Sequence, residues 1–454
     1  MYASYVSIHV LINGNGVLVM KVTVSATLAI NEAIAARRKQ GLPVLQMGFG
    51  EAGLPVHAQL EKALALGAGK NAYGPVSGSR ELRQAVAGYW NRRGLPTEPD
   101  LVVCGPGSKP LLYTLLMAIG GGVAIAVPSW VSYAAQANIV GIKPLLIPTL
   151  SGQGGVPDPD LLGPAIEKAR KAGQDIRAVI VTLPDNPTGT LAKPATIHRL
   201  CDVAESLDLV IISDEIYRDL VFDTSANFVS PATVAPERTI ISTGLSKNLA
   251  LGGWRIGAIR LPDSPLGHQL LPQVKGLASE IWSSPSGPVQ YAAAYAFGEP
   301  VELVEHIAKS RRLHATVARD VAKRFRNVGA VVAEPQGGFY MYPDLESWRE
   351  HIKETYSITT GAELAHHFLH EYGLGVLAGQ EFGDKEKALR FRVATSLLYG
   401  ETDEQRFEAL NSEDPLTLPW IKESLTRLDH ILREVSGGVT ASTPKKYPLV
   451  TDKL

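Results

Sequence analysis

The chain has 454 residues, with 44 basic and 45 acidic side chains and a formal net charge of −1. This near-neutral balance argues against nucleic acid or an anionic membrane surface as the main partner, and the length allows two domains around a large core. The two cysteines, Cys104 and Cys201, form neither a disulfide framework nor a metal-binding spacing, so a reducing cytoplasm is the expected location.

The first 19 residues are apolar but are interrupted by Asn13-Gly14-Asn15-Gly16, and no basic run precedes them. The segment is too short for a membrane span and lacks the charged start of a signal peptide. We therefore expect residues 1–19 to be an extension in front of a fold that begins at Met20. Two interpretations of this extension stay open. Either translation starts at an upstream codon, or the extension forms an extra strand or arm of the fold.

The next region predicts two helices separated by a strand and a glycine-rich turn. Ser25 and Ser79 precede the helices and can cap them, and a glycine follows the last turn of each. Between the helices, residues 44–55 indicate a short strand and then a turn that contains Gly50. Tyr73 starts a Tyr-Gly-Pro sequence just before the second helix.

Residues 101–135 predict a strand, a glycine turn, a helix and a second buried strand. The first strand ends at Gly105-Pro106-Gly107-Ser108-Lys109, where the helix begins. A helix N-terminus behind such a turn favours phosphate binding, although the turn matches neither a dinucleotide fingerprint nor a Walker loop. The second strand is followed by Trp130, a flat aromatic that suits stacking on a ring.

Two more strand–helix units end in polar residues. One apolar run is followed by Asp185-Asn186-Pro187-Thr188-Gly189, and the next by Asp214, with Tyr217 three residues later. A carboxylate at a buried strand end is costly unless it meets a cation or a donor. The alternation predicts a doubly wound α/β sheet whose ligand lies outside the carboxyl ends of the strands.

Residues 239–260 place a lysine and an arginine between two apolar strands. Lys247 and Arg255 are eight residues apart, and Gly252-Gly253 lies between them. A desolvated lysine has a lowered pKa and a nucleophilic amine, and an arginine offers a fork of donors to a phosphate. The pair suits a cofactor that has both an aldehyde and a phosphate, namely pyridoxal phosphate.

The C-terminal part predicts a long helix over about 300–328, an insertion over 400–419, and a final helix with one apolar face. The polar tail over 438–454 is expected to be disordered. His366 and His370 are four residues apart and could bind a metal, but no third ligand is evident, so we expect no metal.

The strings Gly244-Leu245-Ser246-Lys247 and Gly253-Trp254-Arg255-Ile256-Gly257 closely resemble the cofactor-lysine signature of class I and II, fold-type I, aminotransferases. The resemblance extends over about residues 20–437. It implies a large, mostly parallel seven-stranded sheet domain over 56–298. It also implies a smaller α+β domain made from both chain ends, 20–55 and 299–437.

The resemblance also implies roles for individual residues. Lys247 would carry pyridoxal phosphate as a Schiff base, Asp214 would meet the ring nitrogen, and Asn186 and Tyr217 would bind the ring oxygen. Trp130 would stack on the ring. The expected phosphate ligands are Gly107, Ser108, Lys109, Arg255 and, from the neighbouring subunit of a homodimer, Tyr73. The turn around Gly107 carries one extra residue relative to the family.

The family's substrate-carboxylate arginine lies four residues before an alanine in the sequence Ala-Thr-Ser, which identifies Arg390. An arginine suits this role because its planar fork matches a carboxylate. Gly50 would lie against the substrate, as would Asn186. Arg392 stands where the family usually has a small polar residue, and two residues apart on one strand both arginines are expected to share a face.

The implied reaction transfers an amino group from an L-amino acid to a 2-oxo acid by way of pyridoxamine phosphate. The same scaffold serves lyases and replacement enzymes that eliminate a β- or γ-substituent, for example from an S-adenosylmethionine-like substrate, and some oxidases. Arg392 and the changed phosphate turn leave that alternative open. A transcriptional regulator would need a basic DNA-binding domain in front of the fold, so we expect neither a nucleic-acid nor a membrane partner.

Overall fold

The computed structural model describes residues 24–225 and 228–438, together with the backbone of two short strands that precede them. These strands, β1 (His9–Ile12) and β2 (Leu18–Lys21), pair antiparallel with each other. The expectations for the rest of the N-terminal extension, and for the tail beyond residue 438, concern residues outside the described ones.

Short strands and longer helices alternate along the chain. The other strands are β3 (Leu45–Gln46), β4 (Val102–Gly105), β5 (Gly122–Val127), β6 (Leu145–Leu150), β7 (Gln153–Pro157), β8 (Ile176–Thr182), β9 (Val210–Asp214), β10 (Thr239–Gly244), β11 (Gly257–Arg260), β12 (Tyr340–Met341), β13 (Leu374–Gly375), β14 (Leu377–Ala378) and β15 (Phe391–Ala394).

The helices are α1 (Ala26–Lys39), α2 (Ala58–Gly67), α3 (Arg80–Asn91), α4 (Ser108–Ile119), α5 (Val131–Ile139), α6 (Pro159–Lys171), α7 (Pro194–Ser206), α8 (Pro231–Val234), α9 (Pro265–Trp282), α10 (Gly287–Phe297), α11 (Val301–Asn327), α12 (Arg349–Tyr356), α13 (Gly361–Tyr372), α14 (Asp403–Asn411) and α15 (Pro419–Val435). Within the described part of the chain, none of them is both long and apolar enough to cross a membrane.

Eight strands form the central sheet in the order β4-β11-β10-β9-β8-β5-β6-β7. Neighbouring strands from β10 to β6 are parallel, whereas β11 runs antiparallel to both of its neighbours. Strands β8, β9 and β10 are buried almost throughout, as parallel strands are when helices cover both faces. The predicted doubly wound α/β fold is therefore confirmed.

The sheet has one strand more than the seven expected. After β6 the chain reverses at Ser151-Gly152, where Gly152 has a φ of 70° in the left-handed region that favours glycine. Strand β7 then pairs antiparallel with β6 at the edge of the sheet. The extra strand lies far from β10, and it leaves the strand order around the predicted site unchanged.

Both ends of the chain contribute to a second hydrophobic core. Leu45 and Met47 from the N-terminal region join one apolar cluster with residues from α11, α13 and α15. Strand β3 pairs parallel with β13, and β12, β15 and β14 form a three-stranded sheet. This arrangement supports the small domain expected from the sequence, and its boundaries after residues 55 and 298 stay a prediction.

The segment 400–419, interpreted as an insertion, packs into this second core. Helix α14 begins with a capping box between Thr402 and Gln405, and Ala409 and Leu410 belong to the apolar cluster. The predicted apolar face of the final helix is confirmed, because its members are buried: Ile421, Leu425, Leu428 and Leu432.

The substitution Leu428→Ala should lower the free energy of unfolding by about 2–5 kcal/mol, because it removes a fully buried side chain and leaves a cavity. Lys422→Ala, on the exposed side of the same helix, is the matched control and should change it by no more than about 0.5 kcal/mol. Chemical denaturation followed by circular dichroism measures both. Equal unfolding midpoints for the two variants would contradict this description of the core.

Candidate active site

Neighbouring parallel strands bring the candidate residues to one edge of the sheet. Strand β9 ends at Asp214, β10 leads into the turn with Lys247, and β8 leads into the turn with Asn186. Because these strands are adjacent and parallel, their carboxyl ends lie side by side. Strand β4 runs in the same direction, so the turn with Gly107 lies at this edge as well.

The carboxylate of Asp214 has a protein partner on one oxygen only. Its Oδ2 accepts a hydrogen bond of 2.8 Å from the Tyr133 hydroxyl, which also lies 2.8 Å from Thr182 Oγ1. Its Oδ1 is buried and has no hydrogen-bond partner among the described residues. Burial raises the pKa of Asp214 to about 6, so a cationic donor beside Oδ1 would stabilise the charged form. A protonated pyridine nitrogen is such a donor, and the residue therefore fits pyridoxal phosphate.

Lys247 presents an amine of lowered pKa at the same edge. Its Nζ donates a hydrogen bond of 2.7 Å to the carbonyl oxygen of Gly50 and lies 6.0 Å and 5.9 Å from the ring centroids of Tyr217 and Phe339. Burial, reinforced by the positive charge of Arg392, lowers the pKa of Lys247 to about 8. About a tenth of the amine is thus unprotonated at pH 7, and this form can act as a nucleophile or a base.

A network of charged and polar side chains holds the residue that follows Lys247. The Asn248 amide donates to Asp219 Oδ2 at 2.8 Å, and Asp219 Oδ1 accepts at 2.8 Å from Arg93, which follows the end of helix α3. Arg93 also forms an ion pair with Glu299. Each of these side chains is less than one-fifth exposed, so solvent weakens the network little. It ties the Lys247 turn to α3 and to the start of α11.

A glycine turn, a helix N-terminus and an arginine meet where the sequence predicts a phosphate site. Helix α4 begins at Ser108, directly after Gly107, whose φ is 93°. A Cβ at Gly107 would collide with the guanidinium of Arg255, so the turn and this side chain are in close contact. Arg255 Nη1 also donates to the carbonyl oxygen of Gly252 at 2.8 Å. Helix N–H groups beside a guanidinium suit a phosphate.

Lys109 and Trp130 lie next to each other beside this turn. The Lys109 ammonium is 5.2 Å from the centroid of the Trp130 ring. Burial lowers the pKa of Lys109, and the charge of Arg255 acts in the same direction. The Trp130 ring also meets Tyr133 edge-on at 5.2 Å, and Tyr133 is the residue that binds Asp214. Trp130 thus lies between Lys109, at the predicted phosphate turn, and Tyr133, which binds Asp214. Its stacking role stays a prediction.

Asn186 and Tyr217, predicted to bind the ring oxygen, are both buried and both have protein partners. The hydroxyls of Tyr217 and Tyr340 are 2.9 Å apart. Asn186 Oδ1 accepts a hydrogen bond of 3.2 Å from Arg392 Nη1. Because the amide oxygen faces Arg392, the amide nitrogen is the group left to donate to a cofactor oxygen. That role stays a prediction.

Arg392, rather than Arg390, reaches the middle of the site. In addition to its hydrogen bond to Asn186, its Nη2 donates to the carbonyl oxygen of Gly48 at 2.6 Å. No carboxylate of the described residues pairs with it, and its Nε lacks a hydrogen-bond partner there. Burial lowers the pKa of Arg392, although a guanidinium stays charged in proteins. The site therefore contains a buried cation that no acidic side chain in the described part of the chain neutralises.

Aromatic rings cover this guanidinium. Its Cζ lies 4.9 Å from the ring centroid of Tyr340 and 5.1 Å from that of Phe382. A cation over aromatic faces is stabilised by the ring quadrupoles without being neutralised. Arg392 is thus held in a fixed position while its charge stays available to an anion.

Arg390, which the sequence predicts to bind the substrate carboxylate, already has two protein carboxylates as partners. Arg390 Nε donates to Asp344 at 2.8 Å, and its Nη1 donates to both carboxylate oxygens of Asp384 at 2.9 and 3.0 Å. Its side chain is 42% exposed, whereas Arg392 is 1% exposed. The guanidinium is already paired with two protein carboxylates. The predicted role of Arg390 would therefore require the substrate to displace one of these carboxylates.

The remaining predicted residues have differing surroundings. Tyr73 is 90% exposed, and its contact with a neighbouring subunit stays a prediction. A side chain at Gly50 would collide with the Tyr340 hydroxyl, so only glycine fits there.

The rings of His366 and His370 stack with 3.9 Å between their centroids. The described residues contain no group of three or more histidine, cysteine or acidic side chains that could hold a metal.

Several residues of the site were not identified from the sequence. Tyr133 follows Trp130 by three residues at the start of α5, and the i, i+3 spacing of a helix could have indicated it. The contacts of Asp219 and Tyr340 could not be identified in this way, because their partners are distant in sequence. Such contacts depend on tertiary packing.

Comparisons with known proteins agree with this geometry. Residues 44–398 match the model of the family described as aminotransferase class I and II. The chain is 32% identical over 326 residues to a probable aspartate/prephenate aminotransferase of Thermus aquaticus, a match that covers 70% of this chain and 82% of the relative. It is 31% identical over 388 residues to an aspartate aminotransferase of Bacillus sp. (strain YM-2). This match covers 84% of this chain and 94% of the relative.

Among solved structures, the aspartate aminotransferase from Thermus thermophilus with maleate superposes with a TM-score of 0.73 at 28% identity. The match covers 86% of this chain and 95% of that one. The chain thus belongs to the class I and II aminotransferase family. It is a fold-type I, pyridoxal-phosphate-dependent aminotransferase, and the predictions of family, fold, enzyme class and cofactor are confirmed.

The capture of cofactor by Lys247 should depend on pH with a midpoint of about 8. The rate at which apoenzyme takes up pyridoxal phosphate should rise through this midpoint, because only the unprotonated amine attacks an aldehyde. Stopped-flow absorbance over a pH series measures the rate. Arg392→Gln should move the midpoint upward by removing a nearby cation, and Lys247→Ala should abolish the response. A wild-type midpoint near the ordinary lysine pKa of 10.5 would contradict the lowered pKa.

Proposed function

We propose that this aminotransferase carries pyridoxal phosphate on Lys247 and binds the α-carboxylate of its amino-acid substrate on Arg392. The observation that carries the proposal is the unneutralised guanidinium of Arg392 beside Asn186. A buried cation without an anion is costly, and a substrate carboxylate supplies the missing charge. Arg392 is also near enough to Lys247 to lower its pKa, so an amino acid held there has its α-carbon close to the amine.

When bound, pyridoxal phosphate supplies an aldehyde that captures amines and a ring that withdraws electrons from the substrate's α-carbon. Lys247 would be released when the substrate's amino group takes its place, and its amine, with a pKa of about 8, would then take the substrate's α-proton. Asp214 Oδ1 would accept the ring N–H and keep that nitrogen protonated. Asn186 and Tyr217 would bind the ring oxygen.

The other predicted residues fix the cofactor in place. Gly107, Ser108 and Lys109, at the start of α4, hold the phosphate together with Arg255, and Trp130 stacks on the ring. The support for this set is the contact of Arg255 with the Gly107 turn and the position of Trp130 beside Lys109. Gly50 contributes its carbonyl group to Lys247 and allows the close approach of the Tyr340 hydroxyl.

The amino donor we propose is an acidic L-amino acid, with aspartate as the first candidate, and the acceptor is a 2-oxo acid. The relatives from Thermus and Bacillus are named as aspartate or aspartate/prephenate aminotransferases, and one solved relative is a complex with maleate, a dicarboxylate.

Arg392→Gln should reduce kcat/KM for aspartate by roughly 10²–10³-fold, because the carboxylate loses a buried charge partner. Arg392→Lys should recover part of the loss, because it retains the charge without the planar fork. Oxaloacetate formed from aspartate with 2-oxoglutarate as acceptor measures the activity, with Lys247→Ala as the inactive control. Full activity of Arg392→Gln would overturn the assignment.

The same assay separates transamination from the elimination and replacement chemistry that the sequence left open. A panel of amino donors should yield one 2-oxo acid for each amino group transferred. Release of ammonia or of a β- or γ-substituent, without formation of a new amino acid, would favour the alternative. The family membership and the named relatives support transamination.

We also propose a homodimer in which Tyr73 reaches the phosphate of the neighbouring site, and its 90% exposure leaves it free to do so. Tyr73→Ala and Lys247→Ala subunits, each nearly inactive alone, should then regain about a quarter of wild-type activity after unfolding and refolding together. Random pairing makes half of the dimers hybrids. Each hybrid has one site that combines Lys247 of one subunit with Tyr73 of the other, and a second site that lacks both. Sedimentation measures the dimer, and wild-type subunits treated in the same way are the control. Failure of the mixture to regain activity would place Tyr73 in its own subunit's site or in no site.

A cytoplasmic location remains part of the proposal. It is supported by Cys104 and Cys201, which are both buried and free of disulfides.

A further inference from the structure

Arg390 holds both ends of one short loop. Residues 379–384, here called the 379–384 loop, lie between β14 and β15. The N–H of Gly379 donates to the Arg390 carbonyl oxygen at 2.7 Å. At the other end, the Asp384 carboxylate accepts from Arg390 Nη1 at 2.9 and 3.0 Å. Although Arg390 is partly exposed, the Asp384 side chain is only 8% exposed.

Phe382, in the second half of this loop, contacts both Arg392 and the residue before Trp130. The ring of Phe382 lies against the guanidinium of Arg392, with 5.1 Å between Cζ and the ring centroid. The carbonyl oxygen of Phe382 accepts a hydrogen bond of 3.0 Å from the N–H of Ser129, the residue before Trp130. Phe382 and Trp130 also belong to one apolar cluster. The loop thus joins the arginine proposed for substrate to the aromatic proposed for cofactor.

Tyr342 leaves the loop little room to shift. Its hydroxyl donates to Asp384 Oδ2 at 3.2 Å, and its ring meets Phe382 edge-on at 6.2 Å. A Cβ at Gly379 would lie 2.5 Å from the same hydroxyl. A change in the Asp384 carboxylate is therefore transmitted to Phe382 by direct packing.

We propose that Arg390 is a positioning residue for substrate binding, and that its ion pair with Asp384 keeps Phe382 packed against Arg392. This inference rests on the proposed role of Arg392 as the carboxylate-binding arginine. Arg390 acts through the 379–384 loop and does not touch substrate. The two arginines of this strand then have separate tasks: one binds the substrate, and the other fixes the loop that holds the first in place.

The buried position of Asp384 explains why this pair can act on binding. Removal of the Arg390 guanidinium would leave the buried Asp384 carboxylate without its cation, and the surrounding loop would relax to hydrate it. Asp344 pairs with the same arginine but lies outside the loop, with its side chain 26% exposed. Loss of the Asp344 pair therefore leaves the anchoring of Asp384 intact.

The test compares Arg390→Gln, Asp384→Asn and their double variant with the matched control Asp344→Asn, all as holoenzymes with aspartate as donor. Each single loop variant should raise KM for aspartate roughly tenfold and lower kcat by a smaller factor. The double variant should resemble either single one, because both break the same pair. Asp344→Asn should stay within about twofold of wild type. Melting temperatures and circular dichroism verify that each variant is folded.

Other outcomes overturn the inference and are distinguishable from failure of the proposed function. If Arg390→Gln raises KM strongly while Asp384→Asn does not, Arg390 binds substrate directly. If neither changes KM while Arg392→Gln abolishes binding, the proposed function stands and the loop has no role. If Arg392→Gln is fully active, the proposed carboxylate site itself is wrong. A uniform loss of kcat with unchanged KM in the loop variants would also contradict a role in binding.

Discussion

The structure depends on buried charges that the protein pairs only in part. Asp214 has one carboxylate oxygen bound by Tyr133 and one without a partner, and Arg392 has no carboxylate partner among the described residues. Each arrangement costs free energy, because a buried charge loses its hydration. The eight-stranded sheet supports Asp214 and the three-stranded sheet supports Arg392, and in the proposed function the cofactor and the substrate supply the missing counter-charges.

Backbone carbonyl groups, rather than acidic side chains, hold the cations of the site. The carbonyl of Gly48 accepts from Arg392, and that of Gly50 accepts from Lys247. Both belong to the segment that leads from the second core, where Met47 is buried, into the large domain. Carbonyl dipoles orient the two cations without neutralising them. An aspartate in their place would compete with the substrate carboxylate and raise the pKa of Lys247.

Much of this arrangement could be predicted from the sequence, because strand ends are visible as apolar runs that stop at polar residues. Asp214 and Lys247 follow such runs, and adjacent parallel strands bring them to one edge. The eighth strand was missed because its residues, Gln153–Pro157, lack an apolar pattern and depend on pairing with β6. The roles of Arg390 and Arg392 could not be assigned in this way, because motif spacing identifies a strand, whereas the partners of each side chain are set by distant residues.

The protein partners of Arg390 and Arg392 decide which of the two arginines can bind a ligand. They are two positions apart and chemically identical, but Arg390 has two protein carboxylates and Arg392 has an amide, a carbonyl and two aromatic faces. A carboxylate arriving at Arg390 would have to displace an existing ion pair, so little free energy would be gained. At Arg392 the same carboxylate meets a desolvated, unpaired charge, where the attraction is strongest.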